Sequence, residues 1–67
     1  MRDIYEGMST KEMEARILAA RLGRVDTKIA LMRLIDREYY ADIGAAVGYD
    51  RRTVSRRMKS IIRKIGQ

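Results

Sequence analysis

The chain has no cysteine, no proline, no histidine and no tryptophan or phenylalanine in its 67 residues. Without cysteine no disulfide can staple it, and without cysteine or histidine the usual zinc-ligand sets cannot be assembled. Ser9, Ser55 and Ser60 have no imidazole to activate them as nucleophiles. The lack of proline, with plentiful Ala, Leu, Met, Arg and Glu, favours helices throughout, and no stretch alternates long enough to compete as a strand. No window approaches the roughly eighteen apolar residues of a membrane helix, and the opening MRDIYEGMSTKEMEA has no apolar run for a signal peptide. The expectation is a soluble, cytoplasmic protein with no membrane partner. With 46% hydrophobic residues the composition is not that of a disordered chain. Its length allows one domain over residues 1–67 with one small core, whose thin stability makes self-association a natural supplement.

What is missing locally is as telling. After Asp50 the chain has no Asp or Glu but seven Lys or Arg, whereas residues 1–50 hold eight basic and nine acidic residues. The net charge of +6 therefore originates in the last seventeen residues. In that segment Val54, Met58, Ile61, Ile62 and Ile65 recur at helical spacing on one face. At about 100° per residue, the opposite face carries Arg52, Arg56, Lys59 and Arg63. A helix that is apolar on one side and cationic on the other suits a polyanion.

Taken from the start, residues 1–8 hold only scattered apolar side chains and read as a loosely ordered segment. Ser9 and Glu12 have capping-box spacing, so a first helix is expected from there to about Leu22, with Met13, Ile17 and Ala20 on one face, Leu18 and Leu22 beside them, and Gly23 ending it. Asp26 suits the cap of a second helix, about Thr27 to Ile35, whose Ile29, Met32 and Ile35 form a stripe broadened by Ala30, Leu31 and Leu34. A short third helix, about Tyr40 to Val47, should bury Tyr40, Ile43 and Val47, with Gly48 ending it and Asp50 capping the fourth helix. The fold class that follows is all-α, a small bundle of about four helices with a C-terminal helix-turn-helix. Met8, Met13, Met32 and Met58 read as adaptable core filler.

The stretch from Asp26 to Ile65 resembles the DNA-reading end of the sigma-70 class and the small sigma-like regulators of phages and Gram-positive bacteria. The matching features are Tyr40, Asp42 and Ile43 leading in, Gly44 at a close approach, Val47 and Gly48 at the corner, Val54 within the last helix, and the KSIIRKI tail. Asp50 stands where that family commonly has Ser or Thr, and Tyr49 where it has a smaller aliphatic. The resemblance implies a bacterial or phage transcription regulator whose last helix enters the major groove, with Arg51, Arg52, Ser55, Arg56 and Lys59 as the groove-facing set. The upstream domains of a full sigma factor have no counterpart in these residues, so a small regulator is expected.

Arginine can donate two parallel hydrogen bonds to guanine O6 and N7, which makes Arg52 and Arg56, one turn apart, the candidates for reading bases. Ser55 can meet a base or a phosphate. Lys59, Arg63 and Lys64 suit phosphates or solvent, since a straight helix leaves the groove toward its C-terminus, and Arg57 points between the faces, as a phosphate contact or none. Of the tyrosines, Tyr40 sits at a core position and Tyr49 in a corner that wants an apolar body, which leaves Tyr39 as a candidate for a phosphate. Paired acid and base groups in a concave site are not evident, so neither an enzyme nor a cofactor is expected. The expected partner is double-stranded DNA, bound by a homodimer joined through the first helix and its exposed Met or Leu residues. The alternatives are an adaptor docking on RNA polymerase or another regulator, and a DNA-positioning subunit in phage packaging or recombination.

Overall fold

Ser9 opens the first helix of the computed structural model, which describes residues 7–66. Its hydroxyl oxygen accepts from the Glu12 amide at 3.1 Å and donates to Glu12 Oε1 at 3.3 Å. Of the reciprocal Ser–Glu box expected from the sequence, the hydroxyl half is formed, while the carboxylate accepts from the Ser9 hydroxyl. Helix α1, Thr10–Ala19, buries Met13 and Ile17. Of the segment 1–8, Gly7 and Met8 are described, and Met8 packs against the core; residues 1–6 lie outside the described part.

The link from α1 to α2 departs from the sequence expectation. The first helix stops three residues short of Leu22, and Gly23 does not end it. Arg21 turns the chain with φ 50°, and Gly23, at φ 91°, is the N-cap of α2, Arg24–Leu34. Two left-handed positions so close together reverse the chain tightly, which starts α2 earlier than a cap at Asp26 would. Asp26 thus lies in the first turn of α2 and caps nothing.

Helix α2 packs against all three other helices. Ile29 and Ala30 are fully buried, while Leu31, Met32, Leu34 and Ile35 flank the core. Beyond it, the Glu38 amide donates to the Met32 carbonyl at 3.1 Å, and Arg33 Nη1 donates to the Glu38 carbonyl at 2.9 Å. The Arg33 guanidinium also lies 4.5 Å from the centre of the Tyr40 ring. One side chain thereby ties the end of α2 to the start of α3.

Helices α3, Tyr40–Val47, and α4, Arg51–Ile65, lie where the sequence places them. Gly48 has φ 84°, and its amide and that of Tyr49 both donate to the Gly44 carbonyl, at 2.8 and 2.9 Å. A Cβ on Gly44 would fall on the Tyr49 carbonyl oxygen, nearer than real Cβ atoms come. The close approach at Gly44 is thus to the backbone of the turn between α3 and α4.

One core joins all four helices: Met13, Ile17, Leu22, Ile29, Ala30, Ile43, Val54, Met58, Ile61 and Ile65. Each large aliphatic among them is worth about 1.5–3 kcal/mol relative to exposure. Two residues expected beside the core are not in it. Leu18 is 55% exposed and Ile62 39%; each follows a buried isoleucine, and a step of about 100° carries the second side chain out of the seam. Among the described residues there is no strand, and no helix is long and apolar enough to cross a membrane.

Candidate nucleic-acid interface

Burial of Val54, Met58, Ile61 and Ile65 fixes the rotation of α4 about its axis. Arg52, Arg56, Lys59 and Arg63 are consequently exposed on the opposite side, with Arg51 and Lys64 also open to solvent and Ser55 half-buried on the flank. Among the described residues, none of these six cations has a carboxylate within ion-pair distance. The charges of Arg52, Arg56, Lys59 and Arg63 therefore sum along one face.

The start of α4 is held by Asp50, whose Oδ1 accepts the Thr53 amide at 2.8 Å. The Thr53 side chain and this amide, reinforced by the positive charge of Arg56, hold the Asp50 carboxyl below its ordinary value of 3.8. No acidic residue follows in the first turn; Arg51 and Arg52 occupy it. Cations there oppose the helix dipole, whose positive end is at the N-terminus. The arrangement weakens the helix, and nothing in the packing requires it.

Arg51, Arg52 and Ser55 line one side of an open cleft of about 510 Å³ whose other side is Tyr39, Tyr40 and Ala41 at the start of α3. Tyr39 is the N-cap of α3 and is 76% exposed. Four residues picked out from the sequence, Tyr39, Arg51, Arg52 and Ser55, thus meet at one opening. The cleft itself and the part Tyr40 takes in its wall were not anticipated, because they depend on how α3 and α4 cross. A second opening, of about 180 Å³, lies where α1 meets the end of α4, lined by Arg16, Ala19, Ala20, Lys64 and Ile65.

Arg57, which the sequence places between the two faces as a phosphate contact or as no contact at all, has partners within the fold. Its Nη1 donates to Asp26 Oδ1 at 2.7 Å, its Nη2 approaches the Tyr49 hydroxyl at 3.4 Å, and its guanidinium lies 4.9 Å from the Tyr49 ring centre. The hydrogen bond to Asp26 and that carboxylate's charge raise the Arg57 pKa above its ordinary value. Of the seven cations on α4, this one faces α2 and the turn. Asp26 and Tyr49 are the residues that sequence reasoning missed here, and the partners lie 31 residues apart, beyond any local pattern.

Among the described residues no group of three or more His, Cys, Asp or Glu is arranged to hold a metal ion. No family model matches the chain, and no curated protein or solved structure matches it.

Proposed function

We propose that the protein binds double-stranded DNA through a helix-turn-helix formed by α3 and α4, with α4 in the major groove, and regulates transcription. The observation that carries this reading is the surface of α4, where six exposed cations, four of them on the face opposite the core, stand without a carboxylate partner among the described residues. Ordinary surfaces mix the two signs. With its side chains a helix is about 10–12 Å across, and the major groove is about 12 Å wide. The resemblance of residues 26–65 to sigma-type DNA readers supports the same reading.

In this mechanism phosphate neutralisation with release of counterions supplies most of the affinity, and side chains reaching base edges supply selectivity. Arg52 and Arg56 read bases, Lys59 and Arg63 meet phosphates, and Tyr39, Arg51 and Ser55 flank the entry of the strand into the cleft. If about four cations, Arg51, Lys59, Arg63 and Lys64, engage phosphates, log K falls against log salt with a slope of about −3.6. Fluorescence anisotropy with a duplex selected from a random pool measures it. A nearly flat response would remove the mechanism. In the same assay Arg52→Ala is expected to cost about 1–3 kcal/mol and to relax base preference at one position, while Lys59→Ala weakens binding to all duplexes alike. Equal losses on selected and random DNA from both substitutions would show the two roles to be misassigned.

A further inference from the structure

We infer that Asp26 is a positioning residue that withdraws Arg57 from bound polyanions, so that α4 presents six cations to its ligand instead of seven. Where the ligand is DNA, this inference rests on the reading above.

The case begins with geometry. Arg57 occupies one corner of a three-residue latch whose other corners come from different parts of the fold: Asp26 from the first turn of α2, and Tyr49 from the turn that precedes α4. The Asp26 side chain is only 15% exposed, whereas that of Arg57 is 39% exposed. The carboxylate is therefore largely enclosed while the guanidinium remains within reach of solvent. Guanidinium groups satisfy planar partners through fixed donors, and Arg57 has one donor on the carboxylate and another turned to the phenol. The ring holds the remaining face by a cation–π contact.

Release of Arg57 would leave a carboxylate that is only 15% exposed without its partner, a cost that opposes recruitment of the guanidinium by a phosphate. Asp26 thus keeps out of circulation a charge that would otherwise add to sequence-independent attraction. Phosphate contacts carry no base information, so each cation removed from that count favours discrimination over bulk affinity.

The test compares wild type, Asp26→Asn, Arg57→Gln and the double variant. Two readouts are used: the salt dependence of binding to a random-sequence duplex, and the salt concentration at which each protein elutes from immobilised heparin. Circular dichroism checks that each is folded. Asp26→Asn frees the guanidinium, so the slope of log K against log salt is expected to steepen by about 0.9, equivalent to roughly eightfold tighter binding at 0.1 M salt. It should also elute from heparin later than wild type. Arg57→Gln alone should leave slope and elution unchanged, and in the double variant the gain should vanish.

A fall of about 0.9 in the slope for Arg57→Gln would overturn the inference, because Arg57 would then already be neutralising a phosphate. So would an equal gain from Asp26→Asn in both backgrounds, which would mean simple loss of a negative charge. If Asp26→Asn does not fold, Arg57→Gln decides alone by the same criterion. The heparin order without any duplex binding by wild type would leave the latch standing and sink the DNA reading; duplex binding of normal slope with no change from Asp26→Asn would do the reverse.

Discussion

The Asp50 carboxylate serves as the cap of α4 while standing one residue before two arginines and near a third. An uncharged hydroxyl would also cap the helix, so the charge is what distinguishes this position. Because the hydrogen bond from Thr53 lowers the folded-state pKa below 3.8, the folded protein gives up this carboxylate's proton more readily than the unfolded chain does. Its contribution to stability is therefore complete above the unfolded value and is lost as pH falls through the lower folded one. Asp50→Asn retains an acceptor but does not titrate. Thermal melts followed by circular dichroism from pH 5 to pH 2 should show the wild-type midpoint falling more steeply than that of Asp50→Asn in the acid limb. Parallel curves would mean that the carboxylate gains nothing from its charge. Gly44 is constrained at the same scale by the Tyr49 carbonyl oxygen, which leaves no room for a Cβ.

At the scale of the helix, the opening of α4 trades stability for charge. Arg51 occupies the first position after the cap, where an acid would be favourable and a cation is not. Arg51→Glu is expected to raise the stability of the folded protein by about 0.3–1 kcal/mol at low ionic strength, read from urea unfolding, and at the same time to weaken duplex binding by roughly tenfold or more. A variant that loses stability would contradict the dipole account, and one that binds as before would place Arg51 outside the interface. The same helix explains what could be read from sequence. Its start is marked locally, by Gly48 closing α3 with positive φ and by Asp50 three residues before Thr53, and its buried face repeats with the helical period, so both its start and its outer cations were legible. The link before α2 was not, because Arg21 adopts positive φ with no glycine to announce it. Asp26 looked like a cap because caps are the local use of an aspartate, whereas its partner, Arg57, is brought to it by tertiary packing. Leu18 and Ile62 were misplaced for a simpler reason: on α1 and α4, which bury a narrow seam, the residue after a buried isoleucine is carried about 100° out of it. The outer face of the candidate site was thus legible, and its cleft was not.

For the whole molecule, the unequal distribution of charge matters more than its sum. Residues 51–67 carry seven cations and no acid, while residues 1–50 are almost balanced. The molecule measures 29 × 23 × 19 Å, and the Debye length at physiological salt is about 8 Å. Acids farther than that from α4 do little to cancel the field in front of it, and of the near ones Asp50 caps the helix and Asp26 is taken up by Arg57. Such a molecule should approach a duplex with α4 leading, because the encounter is biased before contact. Stopped-flow association with a fluorescent duplex is expected to slow by at least about tenfold between 0.02 and 0.2 M salt. Lys11→Glu, at the exposed start of α1, should leave that dependence unchanged, whereas Lys59→Glu should flatten it. If Lys11→Glu and Lys59→Glu slowed association equally, only net charge would count, and the one-sided field of α4 would have no part in bringing the two molecules together.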